Sequence, residues 1–123
     1  MKRFLYLMVL FLSLFLPKVT FATDFIDGFE DVPLMHGLKQ QENQNFSFGN
    51  EESGYTEALL YPVKKMAFED VGLFYIDVLP KFGWLLLSQK TDYISFIRDK
   101  DTLEISRQSA RPLKISVSIK SKN

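Results

Sequence analysis

The clearest pattern in the chain is an alternation of apolar and polar side chains over residues 113–120. The apolar positions are Leu113, Ile115, Val117 and Ile119, and the polar positions are Lys114, Ser116, Ser118 and Lys120. An apolar side chain at every second position is the period of a β-strand. A strand with one polar face is typical of an antiparallel sheet that has one face covered and one face in water. The chain therefore needs a second layer to cover the apolar face.

Other segments share this strand pattern. Apolar or aromatic residues alternate with polar ones, or run together between turn residues, at 45–48, 55–63, 84–89, 93–97 and 103–106. The first two segments are separated by Gly, Asn, Glu and Ser, which favours a hairpin with a longer loop. The pattern therefore predicts two strands early in the chain and three or four strands after residue 83. Lys114, Lys120 and Lys122 on the last strand are interpreted as protection of an exposed sheet edge.

Residues 68–79 have the period of a helix. The apolar residues that recur at helical spacing are Ala67, Val71, Phe74, Tyr75 and Val78, and they define one face. Glu69 and Asp70 in the first turn suit the positive end of the helix dipole. Pro80 disfavours a helical conformation at the residue before it, and Gly83 can provide a left-handed cap. The apolar face is expected to pack on Phe96, Ile105, Ile115 and Val117.

These elements predict an α+β domain in two layers, with one helix packed on an antiparallel sheet. The predicted order is β-β-α-β-β-β, with a further strand allowed after the helix. Residues 46–123 are assigned to this single domain, and residues 23–45 to an irregular N-terminal arm that ends in a polar connector.

The N-terminus has the organisation of a secretory signal. Lys2 and Arg3 precede a run of 13 apolar residues at 4–16, and Thr20 and Ala22 occupy the small-residue positions of a cleavage site. A transmembrane helix needs about 20 apolar residues, so an uncleaved anchor is the weaker alternative. Residues 1–22 are predicted to be a signal peptide, which implies export to the periplasm and no stable transmembrane span after cleavage.

Charge and composition argue against several classes of protein. Three of the 15 basic residues lie in the predicted signal, so the exported part has 12 basic and 15 acidic residues, a net charge of −3. A nucleic-acid-binding protein is expected to have a basic face, so no nucleic-acid partner is predicted. The chain has no cysteine, so it has no disulfide, thiolate metal site or cysteine nucleophile.

The arm contains the segment FEDVPLMHGL at residues 29–38. Its apolar residues are too numerous for a free tail, because an N-terminus frays unless something holds it. Two interpretations remain: the arm folds back as a strap over the domain, or it docks on another protein. The candidate partner-binding residues are Val32, Pro33, Leu34, Met35, His36 and Leu38.

The segment FYIDVLPKFGW at 74–84, followed by YISFIRDKDTLEI and PLKISVSIK, resembles a pattern found in small uncharacterised bacterial periplasmic proteins. Their shared motif is similar to FY-x-x-x-LP-x-x-GW followed by short strands. The resemblance implies an exported domain with a helix on a sheet, and it implies no catalytic residues. The competing interpretation of these aromatic residues as a ligand site is disfavoured, because aromatic residues at helical spacing usually belong to a core.

No catalytic or metal-binding constellation is found. His36 is the only histidine, and a zinc site needs three or four ligands. Asp24, Asp27, Glu30 and Asp31 lack the alternating spacing of a calcium loop. We therefore expect no enzyme activity and no cofactor.

The leading hypothesis is a non-enzymatic interaction or accessory protein of the bacterial cell envelope. It would bind an envelope protein through the arm or by strand addition at a sheet edge. The alternative is a carrier that holds a small apolar ligand between helix and sheet. The oligomeric state and the identity of the partner are left open.

Overall fold

An antiparallel sheet and one α-helix form the framework of the domain. The computed structural model describes residues 24–42, 46–49 and 53–122. The strands before the helix are β1 (Leu38–Gln40), β2 (Phe46–Gly49) and β3 (Ser53–Pro62). Helix α1 (Phe68–Val78) leads into a short 3-10 helix (Leu79–Phe82). The later strands are β4 (Leu85–Gln89), β5 (Tyr93–Arg98), β6 (Asp101–Ala110) and β7 (Leu113–Lys122). The predicted signal peptide at 1–22 lies outside the described residues.

In the described residues the sheet has seven strands in six positions, in the order β1-β3-β7-β6-β5-β4. β1 and β2 both pair with β3 on the side away from β7, β1 through residues 60–62 and β2 through residues 54–57. All pairs are antiparallel. The α+β class and the antiparallel sheet are therefore confirmed. The chain has one more strand before the helix than predicted, and it has the further strand after the helix.

The extra strand β1 includes Leu38 from the predicted arm and Lys39 from the predicted polar connector. Only three residues pair here, Leu38 with Pro62, Lys39 with Tyr61 and Gln40 with Leu60. A segment this short has no alternation long enough to identify it as a strand. Its pairing is decided by the position of β3 rather than by its own sequence.

The last strand has a central position, which corrects the interpretation of its lysines. β7 lies between β3 and β6, and its alternating residues pair with both neighbours, for example Val117 with Ala58 and with Ile105. Lys114 and Lys120 are exposed on the face that points away from the core. They keep that face polar, and they do not protect an edge.

The face of α1 that is buried against the core differs from the predicted face. Val71 and Tyr75 are buried as expected, but the other buried residues of this segment are Phe68, Gly72 and Leu79. Phe74 and Val78 are only half-buried, and Ala67 is exposed. The predicted set mixed two neighbouring faces, because apolar residues occupy more of this short helix than one face can bury.

The helical segment begins and ends close to the residues predicted from the sequence. The Asp70 carboxylate accepts a hydrogen bond of 2.9 Å from the backbone N–H of Ala67, at the start of α1. At the other end Gly83 has φ +88°, which a glycine adopts at little cost. The N–H of Trp84 then donates to the carbonyl of Leu79 at 3.2 Å.

One helix is too narrow to cover this sheet. Six strand positions at about 4.8 Å spacing span roughly 24 Å, whereas a helix with its side chains is about 10–12 Å wide. The rest of the apolar face is covered by residues 24–37, which we call the strap. Ile26, Phe29 and Val32 of the strap are buried in the same core cluster as Val71, Tyr75 and Phe96.

Candidate functional site

The strap is a turn that is closed on itself and then fixed to the domain. The N–H of Ile26 donates to the carbonyl of Val32 at 3.0 Å, and the N–H of Leu34 donates to the carbonyl of Asp24 at 2.7 Å. Phe25 and Pro33 form an isolated β-bridge between the two arms of this turn. The backbone of the strap therefore satisfies part of its own hydrogen bonding while its apolar side chains enter the core.

Among the described residues, three side chains of the domain hold the strap. The side-chain amide of Gln40 accepts a hydrogen bond of 2.7 Å from the N–H of Asp27 and donates one of 3.2 Å to its carbonyl. The hydroxyl of Tyr75 donates a hydrogen bond of 2.7 Å to the carbonyl of Pro33, and the N–H of Met35 donates to that hydroxyl at 3.4 Å. The guanidinium of Arg98 forms an ion pair of 2.9 Å with Asp31. It also donates to the carbonyl of Phe82 and lies 4.3 Å from the centre of the Trp84 ring.

The candidate partner-binding residues therefore have different surroundings. Val32, Pro33 and Leu38 are buried, Leu34 and Met35 are half-buried, and His36 is exposed. This is the arrangement that the strap interpretation predicts. A partner that used Val32 or Pro33 would first have to detach them from the core, so the docking role of the arm stays a prediction.

In the part of the chain that the structure describes, no three His, Asp or Glu residues lie close enough together to hold a metal ion. Likewise, no helix in those ranges has the length and hydropathy needed to cross a membrane. We therefore assign no chemical role to His36 or to the acidic residues of the strap.

Core side chains fill part of the space between α1 and the sheet. Val71, Tyr75 and Ile94 are buried there, and a Cβ added to Gly72 would lie only 2.7 Å from Cδ1 of Ile94. Helix and sheet are in direct contact at this point, and the glycine that weakens the helix is the residue that permits the contact. A ligand buried at this point would have to displace core side chains.

A surface suited to binding another polypeptide lies at the outer edge of β4. In the described ranges β4 pairs only with β5. Its residues Leu85, Leu86 and Leu87 are 66%, 46% and 59% exposed, and we call these three residues the leucine edge. Leu87 lies at a bulge between the pairs Leu86–Phe96 and Ser88–Ser95, so side chains on both faces of the strand reach solvent.

The opposite edge of the sheet is less suited to binding a strand. β1 has three residues and β2 has four, and five residues lie between them where β3 has only two. This interruption breaks the row of backbone groups that an added strand would need. The two edges of the sheet therefore differ. The sequence shows that residues 84–89 are apolar, but it does not show that this strand lies at an edge, because the order of strands is set by the fold.

A second surface lies at the N-terminal end of α1. Two adjoining clefts of about 630 Å³ and 750 Å³ share Ala67, Phe68 and Arg107 as lining residues. The basic residues that line them are Lys64, Lys65, Lys90, Arg107 and Arg111. We call this surface the basic groove.

Comparisons with protein-family models, with curated proteins and with solved structures gave no match for this chain. The case for function therefore rests on the leucine edge and the basic groove.

Proposed function

We propose that this chain is an exported, non-enzymatic accessory protein of the bacterial cell envelope that binds a partner protein by strand addition at β4. Its location is inferred from the N-terminal sequence. The observation that supports the binding mode is the leucine edge, in which three consecutive large apolar side chains are exposed on an edge strand without a charged residue.

The free energy cost of leaving an apolar edge strand exposed to water supports a binding role for this edge. Natural proteins protect free edges with charged residues, prolines or short strands, and β4 carries only the bulge. Burial of one large apolar side chain contributes about 1.5–3 kcal/mol. Three leucines together with the free backbone groups of β4 offer enough surface for an extended segment to bind through both side chains and main chain.

The alternative, a carrier of a small apolar ligand between helix and sheet, has less support. Gly72 and Ile94 meet there, and both also line the first cleft. The clefts around α1 are open grooves, whereas ligand sites usually enclose most of a small molecule.

Site-specific photo-crosslinking tests the proposal. A photoreactive residue at Leu87 is expected to give one discrete product in the native periplasm, whereas the same residue at Lys100, an exposed turn position, gives none. Leu85→Lys in the same chain should suppress the product, because a charge at an edge opposes strand addition. Leu85 is exposed, so the substitution leaves the core intact.

The result that contradicts the proposal is equal crosslinking from Leu87 and Lys100, or a Leu87 product that Leu85→Lys does not change. A product that contains two copies of this chain also contradicts it, because the edge would then mediate self-association rather than binding of a partner.

A further inference from the structure

The basic groove concentrates positive charge on a chain that has no excess of it. The full sequence has 15 basic and 15 acidic residues, yet the groove is lined by five basic residues and by one acidic residue, Glu69. The positive end of the α1 dipole lies at the same place. The charges of this protein are therefore separated, and the groove is a region of positive potential.

Most of these charges are not neutralised by neighbours. Arg107 forms an ion pair of 2.6 Å with Asp92, and the ammonium of Lys90 lies 5.5 Å from the centre of the Tyr93 ring. Lys64, Lys65 and Arg111 form no ion pair with any residue in the ranges 24–42, 46–49 and 53–122. Three cations are thus available to an anionic group that enters the groove.

The groove also has an apolar floor. Phe68 and Leu113 are buried beneath it, and Pro62, Met66 and Pro112 contribute further apolar surface. Four of the five basic residues that line the clefts, all but Arg107, are exposed. An extended polypeptide that follows the clefts can contact both the apolar floor and these cations.

The groove begins at the end of β4, two residues after the leucine edge. Gln89, the last residue of β4, lines the first cleft together with Lys90 and Leu73, and Leu73 is itself exposed on α1. A segment that pairs along β4 and continues past Gln89 therefore reaches the first of the five cations.

We propose that the basic groove binds an acidic stretch of the same partner polypeptide whose apolar stretch pairs with β4. This inference rests on the proposed function, and it adds the chemistry of the partner: alternating apolar residues followed or preceded by several Asp or Glu residues. The apolar part supplies contact area, and the acidic part supplies orientation and a faster encounter.

The binding of two fluorescent peptides tests whether the basic groove prefers an acidic stretch. One has alternating Leu and Thr residues followed by a run of Glu, and the other has the same strand followed by a run of Gln. The full chain is expected to bind the Glu peptide about tenfold more tightly, a difference of about 1.4 kcal/mol. The difference should shrink as salt is raised, because salt screens exposed charges.

Matched triple variants locate the effect. Lys64→Ser, Lys65→Ser and Arg111→Ser together should abolish the preference for Glu. Lys81→Ser, Lys100→Ser and Lys120→Ser change the net charge equally at exposed positions elsewhere, and they should preserve it.

The outcomes separate the two proposals. If both peptides bind equally, and Leu85→Lys weakens both, the groove inference is overturned and the function of β4 stands. If Leu85→Lys leaves binding of the Gln peptide unchanged, or neither peptide binds, the proposed function fails. If vesicles of phosphatidylglycerol bind more tightly than the Glu peptide, and only the first triple variant prevents it, the groove inference is overturned in favour of a membrane surface.

Discussion

At the scale of single residues, Tyr75 joins the helix to the strap through one buried hydroxyl group. It donates to the carbonyl of Pro33 and accepts from the N–H of Met35. A buried carbonyl that loses its partner costs about 1–3 kcal/mol. Tyr75 is therefore both a core aromatic residue and the hydrogen-bonding anchor of the strap.

Tyr75→Phe is expected to lower the free energy of unfolding by about 1–2 kcal/mol, because the carbonyl of Pro33 loses its donor while the ring stays in place. Urea denaturation measures the change. Tyr61→Phe, at an exposed position, is the matched control and should change stability by less than about 0.5 kcal/mol. Equal effects of the two variants would show that the hydroxyl of Tyr75 does not hold the strap.

Stability at alkaline pH should depend on the same group. Burial raises the pKa of Tyr75 above its ordinary value, which is about 10. As the pH rises past about 10, the unfolded chain releases this proton while the folded chain keeps it. The free energy of unfolding therefore falls, by at most about 1.4 kcal/mol per pH unit from this residue.

Urea denaturation between about pH 9 and pH 11.5 checks this dependence on the pKa of Tyr75. The wild-type protein should lose stability more steeply than Tyr75→Phe, since the variant has no phenol at this position. Parallel curves for the two proteins would mean that Tyr75 does not retain its proton in the folded state.

At the scale of elements, α1 and β5 approach closely because residue 72 has no side chain. On helix-propensity scales, Gly72 destabilises the helix by about 1 kcal/mol relative to alanine. The structure gives it a packing role, since Cδ1 of Ile94 occupies the space where a Cβ would lie.

Gly72→Ala is expected to gain less than the about 1 kcal/mol that alanine gives a helix over glycine, because Cδ1 of Ile94 must move away from the new Cβ. Ile94→Val removes the methyl group that meets the new Cβ. Gly72→Ala should therefore be more favourable in the Ile94→Val background than in the wild type. Chemical denaturation of the two single variants and the double variant measures this coupling, and an equal effect of Gly72→Ala in both backgrounds would refute the close contact.

The strap is an element of the core, although most of it has no regular secondary structure. Phe29→Ala should lower the free energy of unfolding by about 3–5 kcal/mol, the usual cost of removing a buried aromatic ring. Phe25 lies on the same strap but is 41% exposed, and its ring forms a T-shaped pair with that of Phe82, with the ring centres 5.8 Å apart. Phe25→Ala, the control, should cost about 1 kcal/mol or less. Similar losses, measured by thermal or urea unfolding, would mean that the strap does not stabilise the domain.

At the scale of the whole molecule, the sheet has a protected centre and two unlike edges. β3, β7 and β6 are adjacent strands of ten residues each, and their apolar face is covered by α1 and the strap. Within the part of the chain that the structure describes, β4 has one strand neighbour, and its leucines are exposed. Such a difference predicts local opening at the edge before global unfolding.

Amide hydrogen exchange should show this gradient. The N–H groups of Ile105 and Val117 are expected to exchange only through global unfolding, and those of Leu86 and Leu87 much faster. A bound partner strand would slow exchange in β4 while leaving the central strands unchanged. Uniform protection across β4 to β7 in the free protein would contradict the edge character of β4.

The sequence by itself determined the class of the fold and most of its elements. The alternation at 113–120 required a sheet with one covered face, and the spacing of Val71 and Tyr75 required a helix to cover it. Asp70 and Gly83 fixed the helix start and the end of the following 3-10 turn. These are local effects of side-chain period, dipole and backbone conformation, so neighbouring residues suffice to predict them.

Only the tertiary structure decided which strand lies at an edge. β7 has the most regular alternation and is central, whereas β4 has the least regular pattern and is unpaired on one side by any strand of the described residues. Strand order depends on contacts between residues far apart in the chain, and the period of a strand is the same at the centre and at the edge. For the same reason the leucine edge and the basic groove could not be predicted: Lys64, Lys90 and Arg111 are distant in sequence, and only the fold brings their charges together.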